Sequence, residues 1–406
     1  MKLRLWTIGL VTAGLLRPVG ISHAEEAPIE VLSALSPTLL SGYVDTSAIW
    51  NLGSGNGGKG VGNPFSGGTF PGRSYDGTPK QDGFNLDVVS LTLGKPLDDS
   101  AWSAGYNVTL LFGPDAVGYN PSFQGSLADF SLKDTYVAMQ VPLGNGLHFK
   151  LGNYSEVLGY EVFESGKNPN FSRSYGYFIE PTQLTGVLAD YEFNSVITLV
   201  AGIANTWSSG LDARPTRLGV PAAESEKTYL GMITLTAPKG MGFLEGATLN
   251  AGIINGLGSG AASPASAITS YYLGGTVPTP IHGFSVGYAY DYRGTGQNGI
   301  YPSSYANATA LYLLYQATGK LKFASRTEYA SGSVDTWYIV SPVERHPRNE
   351  LFGWTLTADY ALWANVISRV EFRWDHDLTG QSDGNAIFGN GGRNAYSLAL
   401  NVIYQF

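Results

Sequence analysis

Residues 396–406 read Tyr-Ser-Leu-Ala-Leu-Asn-Val-Ile-Tyr-Gln-Phe. Tyr396, Leu398, Leu400, Val402, Tyr404 and Phe406 hold every second position, with Ser397, Ala399, Asn401, Ile403 and Gln405 between them. Successive side chains of a β-strand point to opposite faces, so the stretch reads as a strand with one greasy face and one small or polar face. Upstream, Val366, Ser368, Val370, Phe372 and Trp374 interleave with Ile367, Arg369, Glu371, Arg373 and Asp375. In 284–293, Phe284, Val286, Tyr288, Tyr290 and Tyr292 interleave with Ser285, Gly287, Ala289, Asp291 and Arg293; 102–113 repeats the pattern. Charges fall only on the second face.

A soluble sandwich alternates too, with its apolar face on a packed core. Strand length and the rhythm of the connections separate the two architectures, because a membrane strand needs roughly 9–11 residues. Strands are expected at 40–51, 84–94, 101–113, 131–142, 147–155, 183–192, 195–207, 227–237, 246–256, 268–278, 284–293, 306–318, 320–331, 350–362, 365–376 and 394–406. The fold class is therefore all-β, a transmembrane antiparallel up-and-down barrel of about 16 strands, or about 14 or 18 if the weaker 40–51, 84–94 and 268–278 are misread. Long connections alternate with short ones, and an even count puts both termini at the short-turn end. Asn145-Gly146 is expected to supply the positive φ of a tight hairpin. Trp50, Trp207 and Trp374 beside long loops, with Trp102 and Trp363 beside short turns, suggest two interfacial girdles.

The rest of the chain agrees with a barrel. Lys2 and Arg4, an apolar run over 5–16 and small residues at Ser22 and Ala24 form the layout of a cleaved signal peptide, 1–24, leaving 25–406 as the barrel. The apolar run is too short for a spanning helix, which needs roughly 20 residues. Charged residues are 14% of the chain, against about 25% in ordinary domains. The net charge of −8 argues against a nucleic-acid partner, which calls for a basic stripe. Without cysteine no disulfide supports the fold. The glycine-rich 52–83 loop lacks the Lys-Ser/Thr pair of a phosphate cradle. His148, His282, His346 and His376 form no metal spacing or nucleophile–base arrangement, so no enzyme and no cofactor is expected.

Four stretches carry a family likeness: FNLDVVSLTLGKPL (84–97), GNGLHFKLGNYSEVLG (144–159), SRSYGYFIEPTQLTGVLADY (172–191) and NVISRVEFRWDH (365–376). They resemble the β-barrel porins of the OmpL-like outer-membrane group, over nearly all of the chain after the leader. The resemblance implies an outer-membrane barrel with diffusion-channel activity and brings no catalytic residues. A porin passing small polar solutes or ions is the leading expectation, with a structural or adhesive barrel with a closed lumen as the alternative.

Candidate site residues follow from the strand register. Lys150, Arg293, Lys322, Arg326, Glu328, Arg369, Glu371 and Arg373 fall on inward positions, where a wet lumen admits charge. The 156–182 connection is long enough to fold into the barrel. It carries Glu156, Glu161, Glu164, Arg173 and Glu180, and its carboxylates are expected to face wall cations across a narrow wet gap, unless those cations pair along their own strands. Tyr404 and Phe406 resemble the signal that barrel-assembly machinery reads. The expected partners are outer-membrane lipid, that machinery, small polar solutes and two further copies in a homotrimer.

Overall fold

The computed structural model describes residues 29–33, 36–52, 72–76, 80, 82–119, 130–155, 157–215, 225–258, 266–297, 302–334, 336–337, 348–379 and 393–406. The proposed leader, most of the glycine-rich 52–83 loop, Glu156 and His346 lie outside these residues. Among them one antiparallel sheet holds β1 (Ile29–Ser33), β2 (Ser36–Leu52), β3 (Gly83–Lys95), β4 (Ser103–Phe112), β5 (Phe130–Val141), β6 (Leu147–Ser155), β7 (Gln183–Glu192), β8 (Ile197–Ala204) and β9 (Thr228–Thr236). It continues through β10 (Thr248–Leu257), β11 (Ala267–Pro278), β12 (Phe284–Thr295), β13 (Ser304–Gln316), β14 (Leu321–Ser333), β15 (Arg348–Trp363), β16 (Val366–Asp377) and β17 (Asn394–Gln405). Strands β2 to β17, sixteen in all, close into a barrel. The ring is completed by β17 against β2, from Tyr396 opposite Leu52 to Gln405 opposite Tyr43. Closure removes the sheet edge, whose unpaired backbone groups would find no partner in hydrocarbon.

All sixteen expected strands are present, with ends shifted by a few residues. Strand β1 was not foreseen: it pairs Ile29 with Leu40 through Ser33 with Ser36, on the edge of β2 that β17 occupies further along. Two short helices, α1 (Pro114–Tyr119) and α2 (Tyr175–Ile179), lie between strands and were not among the expected elements. Each is under two turns, too short to leave a 3.6-residue period in the sequence. The β5–β6 hairpin differs as well, with positive φ at Gly144 (58°) and Gly146 (100°) rather than at Asn145. Asn145 instead donates from Nδ2 to the carbonyls of Glu192 and Phe193, at 3.0 and 2.8 Å, and ties two hairpins together.

The alternation settles which residues meet lipid. On β13, Leu311, Leu313 and Tyr315 are exposed outward, and Ala310, Tyr312 and Leu314 are buried inward. Trp50, Trp102 and Trp363 are exposed, as girdle residues are. Trp207 is a correction: it is buried, and its Nε1 donates to Ser270 Oγ at 3.0 Å.

The inward face divides into two halves. Leu188, Val200, Leu230, Met232, Ile254 and Tyr272 make the wall largely apolar from β7 to β13, with Asp291 and Arg293 of β12 as charged exceptions. Arg326, Glu328, Arg369, Glu371, Arg373 and Asp45 make it charged from β14 round to β2.

Candidate functional site

Between β6 and β7 the chain turns into the barrel, and residues 157–182 touch both halves of the wall. Val157, Leu158 and Tyr160 join the apolar half, where each buried side chain stabilises the loop by about 1.5–3 kcal/mol. Glycines leave room for them. A Cβ on Gly252 would come within 2.5 Å of Leu158 Cδ2, and one on Gly287 within 2.1 Å of Tyr160 Oη. Tyr160 stacks on Tyr312 with ring centroids 4.1 Å apart, and its hydroxyl bonds Thr276 Oγ1 at 2.8 Å.

On the charged half, side chains of the wall bind the backbone of the loop. Glu371 accepts the N–H groups of Phe171 and Ser172 at 2.6 and 3.0 Å. Glu328 accepts the N–H of Tyr175 at 2.6 Å. In the other direction, Arg326 donates to Ser172 O at 2.6 Å, Arg373 to Arg173 O at 2.7 Å and Arg369 to Ser165 O at 2.7 Å. An irregular segment inside a barrel lacks ladder partners, and a buried peptide group left unbonded costs about 1–3 kcal/mol. Here the wall supplies those partners.

Ion pairs fix the same contacts. Arg326 lies between Glu161 of the loop, at 2.7 Å, and Glu328 of its own strand, at 2.6 Å. Glu161 also accepts from Tyr312 Oη at 3.0 Å and from Ser174 N at 2.7 Å. Arg373 pairs with Asp375 at 2.9 Å, and Asp375 accepts from Tyr175 Oη at 2.6 Å. Across the lumen Lys133 of β5 pairs with Glu164 at 3.1 Å, and Asp45 of β2 accepts the Ser165 hydroxyl. Burial alone would raise the Glu164 carboxyl, but Lys133 and Lys167 outweigh it and hold the group at about 2.

A second layer closes over the loop toward the long-loop end. Lys80 donates to Asp115 of α1 at 2.8 Å and pairs with Asp87 of β3 at 3.2 Å. Burial raises Asp115 to about 6 despite Lys80, with Asp87 adding to the rise. Arg73 binds Asp375 and Asp76, and the hydroxyls of Tyr75 and Tyr177 meet at 2.6 Å. A small cleft remains among Asn51, Arg73, Lys80, Ser172, Glu371 and Ser397. Among the described residues no group of three or more His, Asp and Glu could hold a metal.

The expected site residues separate into four sets. Arg326, Glu328, Arg369, Glu371 and Arg373 face inward but lie under the loop, at 3% exposure or less. They are attachment points, and the wet gap expected between them and the loop is replaced by direct bonds. The pairing expected along single strands holds for Arg373 with Asp375, whereas Arg369 pairs with Asp359 of β15 at 3.0 Å. Lys150 and Arg293 lie inward over the rings of Tyr136 and Trp207, at 4.8 and 5.7 Å, and Lys322 is exposed near the short-turn end. Glu161, Glu164, Arg173 and Glu180 are on the in-folded loop. Tyr404 is exposed on the outer face, and Phe406 pairs with Gly42 through N–H and C=O at 3.0 and 2.8 Å. Lys80, Asp115 and Lys133 were missed. Small residues at inward positions, such as Gly287, Ala306 and Ala308, were the available sign that something packs there.

A closed sixteen-strand barrel crossed by a loop fastened to its inner wall has the architecture of an outer-membrane porin. The chain belongs to the family described as "Putative beta-barrel porin-2, OmpL-like", whose model matches residues 37–406. It is an outer-membrane channel protein of the porin class. No curated protein sequence matches it. Among solved structures it is similar to the outer membrane channel DcaP of Acinetobacter baumannii, at 12% identity and TM-score 0.57 over 94% of this chain and 100% of that one. It is also similar to an anion-selective porin from Comamonas acidovorans, at 11% identity and TM-score 0.54 over 91% and 99%. The trimer form of the Vibrio cholerae outer membrane protein OmpT shares 12% identity and TM-score 0.52 over 91% and 99%.

Proposed function

We propose that the barrel is a passive diffusion channel for small polar solutes and ions, and that the 157–182 loop is its constriction. The observation that carries this reading is the fastening of the loop through its own backbone, by Glu371, Glu328, Arg326 and Arg369. A loop held this way keeps one position in the lumen and sets one bore. Nothing in this reading calls for catalysis. Export by a cleaved 1–24 leader, assembly through the strand ending at Phe406 and a homotrimeric state belong to the same reading; the trimer form of a similar outer membrane protein supports the last.

Purified protein in a planar lipid bilayer should give stepwise conductance, and removal of 160–176 should raise the single-channel value. A structural barrel with a closed lumen is the second reading, favoured by the dryness of the loop–wall contacts. A silent bilayer with heat-modifiable, folded protein would establish that second reading. Unchanged conductance after the deletion would remove the loop as the constriction.

A further inference from the structure

Where the 157–182 loop leaves and rejoins the wall, a residue of another connection holds it. The ladder of β6 and β7 brings Ser155 opposite Gln183, so the two feet of the loop start side by side. Tyr119, the last residue of α1, lies across them. Its hydroxyl donates to the carbonyl of Thr182 at 3.0 Å and bonds Ser155 Oγ at 3.3 Å. In return Thr182 Oγ1 donates to the carbonyl of Tyr119 at 3.0 Å. A carbonyl at the end of a helix has no partner within that helix, and here the loop supplies one. The N–H of Thr182 donates to Ser209 Oγ of the β8–β9 connection at 2.6 Å, so three connections meet at one residue.

The helix that carries Tyr119 is itself anchored. Ala116 and Tyr119 are buried with Val88 of β3 and Leu111 of β4, and Lys80 donates to Asp115 at 2.8 Å. The Tyr119 ring also meets Phe163 of the loop edge-on, with centroids 4.9 Å apart. The bonds from the charged wall fall on 161–175, whereas those of Tyr119 fall on the feet.

We propose that Tyr119 and Thr182 form a clasp through which the β4–β5 connection positions the constriction: with α1 docked both feet are held, and with α1 displaced they are released and the bore no longer keeps one value. Tyr119 is a positioning residue, acting on the loop and not on a permeating solute. The effect on conductance rests on the channel reading above.

Three variants test it. Tyr119→Phe keeps the ring beside Phe163 and removes the bonds to Thr182 and Ser155; Thr182→Val removes the return bond, and Thr182→Ser keeps it. The readouts are single-channel current in a planar bilayer and hydrogen exchange of the Ser155 and Thr182 amides, which are bonded to Asp134 and Ser209. In Tyr119→Phe and Thr182→Val both amides should exchange about two- to tenfold faster, as for the loss of one hydrogen bond. Open-channel current should fluctuate more in both, with heat-modifiability unchanged. Thr182→Ser should match wild type. A packing role would give the opposite order, since Val keeps the shape of Thr and Ser does not. Thr182→Val behaving as wild type overturns the clasp, as does faster exchange at Ala116 with Ser155 and Thr182 unchanged. Faster exchange at the feet with unaltered current keeps the clasp and removes the loop as the constriction. The same exchange with a silent bilayer keeps the clasp and counts against the channel.

Discussion

Replacing Arg326 by Met tests whether the loop is held by charge or by shape. Met keeps much of the volume and removes the guanidinium, which leaves Glu161 and Glu328, both fully buried, without their cation. Breaking one partner out of a buried pair costs about 3–5 kcal/mol. The barrel does not carry that cost, because β14 keeps its ladders to β13 and β15. Relief comes from moving 161–175 off the wall, which lets water reach both carboxylates. The apolar anchors Val157, Leu158 and Tyr160 contribute roughly 4.5–9 kcal/mol together, at about 1.5–3 kcal/mol each, and match or exceed the penalty. They should stay seated while the middle of the loop opens. At 1.4 kcal/mol per decade the opening equilibrium shifts on the order of 10²- to 10⁴-fold. Hydrogen exchange of the Phe171, Ser172 and Tyr175 amides in the folded, detergent-purified barrel reads this directly, and conductance should rise with it. Adding Glu161→Gln should recover part of the loss, giving a coupling energy above about 1 kcal/mol in a double-mutant cycle. Amide exchange within a few-fold of wild type in the Met variant would refute the reasoning.

Gly287→Leu should drive the Tyr160 ring from its place on Tyr312, since even a Cβ there comes within 2.1 Å of the hydroxyl; protease cleavage near 157–160 should increase with heat-modifiability intact. Phe406→Asp should lower the yield of heat-modifiable barrel, because the phenyl ring covers Gly42 at the seam where β17 meets β2; normal folded levels would contradict this. The Asp115 carboxyl, raised to about 6, binds its proton more tightly in the folded protein, so its contribution is full below about 4 and is lost as pH rises through 6. Glu164, held at about 2, behaves oppositely, contributing above about 4.5 and losing that as pH falls; protection of 114–119 and of 161–167 from protease should therefore move in opposite directions between pH 3 and 8. Arg369→Glu with Arg373→Glu would bury new carboxylates beside Asp359 and Asp375, so reversal potential should shift toward cations together with a rise in conductance; a shift at unchanged conductance would mean that these arginines face open water.

How far the sequence reveals such a site depends on what each pattern encodes. Period-two alternation encodes which face a residue is on, and that was enough for sixteen strands and for the inward register of Arg326, Arg369 and Arg373. It is silent on what covers the inward face. Tyr160 meets Gly287 and Glu371 meets Phe171 across long stretches of chain, so no local pattern records either contact. The trace left in the sequence is a set of exceptions on the wet face. Leu230, Met232, Ile254 and Tyr272 are apolar there, and Gly287, Ala306, Ala308 and Ala330 are small where a water-filled lumen would accept any polar side chain. Strand β1 left no trace, because five residues fall short of a membrane span. The consequence for selectivity appears on β14. Lys322 and Arg326 share a face four residues apart, and the alternation gives them the same role. Arg326 is sealed under the loop, whereas Lys322 is exposed and stands opposite Asp359 of β15, near the short-turn end. A charge steers ions only where water and solute reach it, since the field of a sealed pair is spent on its own partner. Ion preference should therefore answer to Lys322→Glu at constant conductance, and answer to Arg326 only through movement of the loop.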